Sequence, residues 1–118
     1  LYLFRIFLPA RPDRPARHYL KLGYSAHPVK RHRHQLGLPR DAQVEVLRVL
    51  AMPSGHLACR AEQAAHHRLT RAHPEAVVPA AELAGAMNVV REIYRPGLLP
   101  RIEAELHRIA AEAGQPLV

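Results

Sequence analysis

Two stretches of this sequence carry side chains whose type and spacing suit them to chemistry. The first is Glu62, which lies within an apolar run of Ala58, Ala61, Ala65 and Leu69 at helical spacing. A helix built on that spacing turns the carboxylate toward the body of the domain, with His66 one turn further along the same side. A carboxylate among alanines is costly to bury alone, so it either pairs with a cation, Arg31 being the natural candidate for a structural salt bridge, or faces a site. The second stretch is HYLKLGYSAHPVKRHRHQL, residues 18–36, where Lys21, Lys30, Arg31, Arg33 and His34 crowd together. A guanidinium presents a planar fork that matches phosphate oxygens, so this stretch suits an anionic partner.

The elements that must position these groups can be read from the same residues. Residues 2–8, YLFRIFL, are aromatic and β-branched and predict a strand with Tyr2, Phe4 and Ile6 on one face. Three prolines in PARPDRPA break any ladder and predict a loop joining it, as in a long hairpin, to a second strand over 17–24. Alternation there places Tyr19, Lys21 and Gly23 on a side expected to be chemical, and Leu20, Leu22 and Tyr24 on a core side. A basic helix is expected from about 28 to 37, started at Pro28 and stopped at Gly37 and Pro39. DAQVEVLRVLAM predicts a third strand with Val44, Val46 and Arg48 alternating against Glu45, Leu47 and Val49, although its Leu and Ala content leaves helix open. Ser54 is placed as the N-cap of a helix reaching Ala72, with Arg60, His67, Arg68 and Arg71 on its solvated face. A helical turn from Pro79, a short strand in MNVVREIY, and an amphipathic helix over 98–113 closed by Gly114 complete the chain. That last helix is read as packing. The expected class is α/β in the α+β sense, a small, mainly antiparallel sheet of three or four strands flanked by helices.

Composition narrows the classes of function. At 118 residues the size prior is one domain spanning 1–118. Seventeen Lys and Arg against ten Asp and Glu, with a net charge of +7, favour a polyanion partner. A chain rich in Ala, Arg and Pro can acquire its global charge from coding bias alone, which explains the clustering at 30–34 less well. The single Cys59 rules out an internal disulfide and a cysteine-rich metal site, which suits a reducing, cytoplasmic setting. No apolar run has the roughly 20 residues of a membrane span, so no membrane partner is expected. Leu1 in place of an initiating Met reads as a trimmed or excised piece. A glycine-rich phosphate loop, HExxH and paired-cysteine zinc motifs are all missing. Of the histidine clusters, HRH at 32–34 and HH at 66–67 diverge by about 100° between neighbours on a helix, so surface or phosphate-facing roles are expected for them.

Taken together, Tyr2 in an opening strand, KLG at 21–23, Arg31 eight residues after Gly23 and a glutamate on a later helix resemble the GIY-YIG nuclease domain. The stretch KLGYSAHPVKR is most similar to the phage-type branch, in which lysine replaces the second motif's tyrosine. Tyr2 and Phe4 both compete for the first motif's tyrosine, and only Tyr2 carries a hydroxyl; Asn88 is the weak candidate for the family's late asparagine. The resemblance implies a divalent-metal-dependent endonuclease that hydrolyses phosphodiester bonds in DNA, with RNA also open. Tyr2, Lys21, Arg31 and Glu62 would be its catalytic residues, Gly23 a structural motif residue, and Lys30, Arg33 and His34 contacts to flanking phosphates. Tyr2 or Lys21 would act as base, given a lowered pKa, Arg31 as phosphate clamp, and Glu62 as the ligand of Mg²⁺ or Mn²⁺. Two other readings follow from the same residues: a catalytically silent nucleic-acid-binding module of this fold, and a protein-interaction domain of a larger assembly.

Overall fold

Four antiparallel strands in the order β3-β1-β2-β4 form the centre of the protein, in a computed structural model that describes residues 1–25, 37–87 and 92–118. β1 (Tyr2–Leu8) and β2 (Arg17–Gly23) pair along their whole lengths, Tyr2 opposite Gly23, Phe4 opposite Lys21 and Leu8 opposite Arg17. The proline-rich connection turns tightly through an Arg11–Arg14 bridge, in which each backbone N–H donates to the other residue's carbonyl. β3 (Gln43–Val49) adds to the other edge of β1, so the run that left helix open is a strand. A bulge opposite the Leu3–Phe4 step interrupts its alternation. Val44 and Val46 keep one face, but Arg48 does not share it as the simple alternation predicts. The extra residue carries Arg48 to the side of Leu3, where it donates to Glu103 at 3.2 Å.

β4 is only Ile93–Tyr94, shorter among the described residues than the expected MNVVREIY strand, and pairs with Leu20 and Lys21. α1 (Gly55–Ala72) begins where predicted, with the Ser54 hydroxyl accepting from the Leu57 N–H at 3.2 Å. The short α2 (Ala80–Leu83) follows Pro79, and α3 (Leu99–Ala113) ends at Gly114, whose left-handed φ of 64° releases the chain as glycine permits. Ile102 and Leu106 of α3 are fully buried, contributing on the order of 1.5–3 kcal/mol each by area removed from water.

Both faces of the sheet are covered. Leu3, Leu20, Leu22 and Tyr94 pack with Ala65 and Leu69 of α1 and with Ile102 and Leu106 of α3, while Ile6, Tyr19 and Ile93 form a second cluster with Val78, Leu83 and Met87. The expected division of β2 into a chemical side and a core side therefore needs correction: Tyr19 and Lys21 are buried too. Arg68, assigned to a solvated face, bridges α1 to α3 through Glu105 at 2.7 Å. Among the described residues no helix is long and apolar enough to cross a membrane. The basic helix expected at 28–37 and Asn88 fall outside the described residues, apart from Gly37.

Candidate functional site

Glu62 and His66 lie four residues apart on the buried face of α1, and the helix lays them against the end of β2. Glu62 is 4% exposed; its Oε1 stands 3.3 Å from His66 Nε2, while its Oε2 is buried without a hydrogen-bond partner. The apolar stripe that predicted an inward carboxylate is thus correct, and its described partner is a histidine. Whether Arg31 also reaches it falls outside the described residues.

Glu92, which the sequence reading did not single out, closes the site from the opposite side. Its backbone adopts φ 63°, an uncommon conformation for a residue with a side chain, immediately before β4. That turn brings its Oε2 to 3.0 Å from Lys21 Nζ and 3.6 Å from His66 Nε2. Burial works against the Glu92 charge, but the Lys21 ammonium and the His66 ring outweigh it and hold the carboxyl below the ordinary value. No periodicity marks Glu92, because its position follows from β2–β4 pairing, in which Lys21 is opposite Ile93. His66, by contrast, was legible from its i,i+4 spacing to Glu62. A surface or phosphate-facing role for the 66–67 pair holds only for the exposed His67.

Tyr94 supplies the remaining contact. Its hydroxyl hydrogen-bonds His66 Nδ1, and its ring stacks on the imidazole with centroids 5.6 Å apart. His66 Nε2 lies 3.1 Å from the Leu22 carbonyl, which can only accept, so that contact puts the proton on Nε2 and makes Tyr94 the donor to Nδ1. The opposite tautomer keeps Nδ1–H donating to the Tyr94 oxygen but turns the Nε2 lone pair toward the Leu22 carbonyl and two carboxylates, all acceptors, so it is favourable only with a cation between them. Burial, then the charges of Glu92 and Glu62, pushes the Tyr94 phenol upward.

Tyr2 sits on the neighbouring strand, 5% exposed and stacked on Phe4 with centroids 4.3 Å apart. Gly23 opposite it leaves room for the ring: a Cβ there would lie 2.6 Å from Tyr2 Cζ. Burial, followed by the charges of Glu62 and Glu92, pushes the Tyr2 phenol up to about 12. A general base needs the reverse, a phenol lowered toward neutrality, so burial and the two carboxylates work against Tyr2 in that role. Lys21, the other candidate base, is 6% exposed and already engaged by Glu92.

The ligand atoms of Glu62, His66 and Glu92 all lie within 4.8 Å of one another, so two carboxylates and an imidazole meet at one point. Lys30, Arg31, Arg33 and His34 fall outside the described residues, so of the expected catalytic set Tyr2, Lys21 and Glu62 are the members whose positions are described. Comparison with protein-family models, with curated proteins and with solved structures finds no match to the chain.

Proposed function

We propose that this protein is a divalent-metal-dependent endonuclease that hydrolyses phosphodiester bonds in DNA, as the resemblance to GIY-YIG nucleases implies. The observation that carries the reading is the convergence of Lys21, Glu62, His66 and Glu92 on one buried point where Glu62 Oε2 has no partner. A buried carboxylate oxygen without a donor is a cost that a bound cation removes. The donor set fits such an ion: Glu62, Glu92 and the Nε2 of His66 would hold it, and the imidazole suits Mn²⁺ better than Mg²⁺. When bound, the ion would supply charge stabilisation at the scissile phosphate and its leaving oxygen.

The chain's own residues do the rest. Lys21, paired with Glu92 at 3.0 Å, offers further N–H donors to an incoming phosphate. The Tyr94 hydroxyl fixes the orientation of His66 in either tautomer, which is how a buried partner commonly tunes a ligand imidazole. Tyr2, protonated and packed in place by Gly23, offers a hydrogen-bond donor from the adjacent strand. Arg31, on the stretch after Gly23, is assigned the phosphate clamp on the strength of the resemblance alone.

Plasmid nicking in the presence of Mn²⁺ or Mg²⁺ tests this reading. Glu62→Gln is expected to abolish nicking while DNA binding persists; full cleavage by well-folded Glu62→Gln protein would remove the metal role. A second reading, a nucleic-acid-binding module of the same fold without activity, is favoured by the raised Tyr2 phenol and by the ion pair that already engages Lys21. Salt-sensitive DNA binding with no cleavage by the wild-type protein under either metal selects it.

A further inference from the structure

At the far end of the sheet from Gly23, two arginines converge on a single neutral oxygen. Arg14 donates from Nη1 to the Glu82 carbonyl at 3.1 Å, and Arg17 donates from its own Nη1 to the same oxygen at 3.2 Å. Through its carboxylate Glu82 feels the Arg17 charge but makes no ion pair with either arginine. Its carboxylate is occupied by a bidentate pair from Arg95, at 2.6 and 2.8 Å, and by the Tyr19 hydroxyl at 2.6 Å. Arg11 alongside is bidentate to Asp41. Among the described residues, Arg14 and Arg17 have no carboxylate partner. Two like charges held to one carbonyl repel each other, and one guanidinium would suffice to satisfy that orphan carbonyl at the end of α2.

Both arginines line a cavity of about 350 Å³, together with Leu8, Arg11, Asp13 and Gly85. Each guanidinium has five N–H donors, only one of which goes to Glu82. The Arg17 guanidinium also lies 5.8 Å over the Tyr19 ring, which fixes its plane. Asp13 is the opposing charge in the cavity wall and makes no ion pair with Arg14 or Arg17.

We infer that Arg14 and Arg17 form a second anion site, separate from the Glu62 cluster, that takes a phosphate group. Its source is a phosphodiester of a bound nucleic-acid strand, an assignment that rests on the nucleic-acid reading above. Along β2, Arg17 stands four to five residues from Lys21 and Leu22, where the Glu62 cluster meets the strand, about 13–17 Å at 3.3 Å per residue, or about four to five base pairs of duplex at 3.4 Å each. A duplex that engages the Glu62 cluster and runs along β2 brings a phosphate within range of the arginine pair.

Two measurements test the inference. In the first, inorganic phosphate is titrated into the wild-type protein while the arginine Nε–Hε resonances are followed by NMR, with Arg14→Gln and Arg17→Gln identifying the peaks. Saturable shifts confined to Arg14 and Arg17 are expected, and unmoved resonances overturn the site. In the second, binding of a duplex of about 12 base pairs is measured by fluorescence anisotropy in EDTA across a salt series. The Arg14→Gln/Arg17→Gln double variant, shown folded by circular dichroism, is expected to bind about tenfold more weakly, with the slope of log K on log salt reduced by about one. Unchanged affinity and slope overturn the phosphodiester source, and saturable phosphate shifts beside them identify a site for free phosphate. Failure of the wild-type protein to bind duplex even at low salt overturns the nucleic-acid reading and this source together, while the phosphate titration decides the anion site independently.

Discussion

Replacing Gly23 by alanine isolates the packing that holds Tyr2 in place. Gly23 is a strand residue outside the left-handed region, so alanine meets no backbone penalty and in open space would gain about 0.5–1 kcal/mol. Here the added methyl would stand 2.6 Å from Tyr2 Cζ and 3.1 Å from Cε2, closer than carbon atoms pack. Tyr2 is stacked on Phe4 and 5% exposed, so the ring cannot swing aside freely. Overpacking of this kind costs about 1–3 kcal/mol, or about 4–12 °C in Tm for a chain of this size. In Tyr2→Leu protein, which lacks all three atoms nearest the methyl, Gly23→Ala should be neutral or stabilising. The coupling between the two positions is then about 1–4 kcal/mol, to be measured by urea and thermal melts of the four proteins. Equal destabilisation by Gly23→Ala in both backgrounds would refute the argument that the glycine exists to seat the ring.

Further outcomes follow from the buried charges and from the helix interface. Glu62→Leu should abolish nicking and change stability little, because losing the 3.3 Å contact to His66 opposes the relief of a buried carboxylate oxygen that has no partner; a loss of several kcal/mol in urea melts would count against that unpaired cost. The Tyr2 phenol, raised from 10.0 to about 12 by burial and by Glu62 and Glu92, favours the protonated form in the fold. Its contribution, about 2–3 kcal/mol, is complete below pH 10 and lost as pH rises toward 12, so Tyr2→Phe should resist alkaline unfolding better than wild type. Glu82 is held below its ordinary 4.5 by Arg95 and Tyr19, so its stabilisation is present above that pH and lost as pH falls below it; Glu82→Gln should flatten the acid limb of the stability profile. Arg68→Ala should cost about 0.5–1 kcal/mol by severing the half-exposed bridge from α1 to α3, less at high salt.

Local patterning was sufficient wherever a residue's role depended on its near neighbours along the chain. The strands YLFRIFL and RHYLKLG, the Ser54 cap, the apolar stripe of α3 and its Gly114 stop all follow from side-chain geometry within a few residues, and all are found. The inward direction of Glu62 follows in the same way, since a helix places residues 58, 62, 65 and 69 on one side whatever they pack against.

Pairing between distant segments decided the remainder. Glu92 reaches Lys21 only because β4 docks on β2, and a two-residue strand has too few positions to declare itself by alternation. The bulge that moves Arg48 to the α3 side depends on β1 and β3 meeting, not on either sequence alone. The direction of the Tyr2 shift was likewise beyond the sequence, because it depends on which charges meet the ring, and the fold buries it beside two carboxylates. Sequence therefore determined which side chains face inward, and tertiary structure decided which of them meet and so what charge each one experiences.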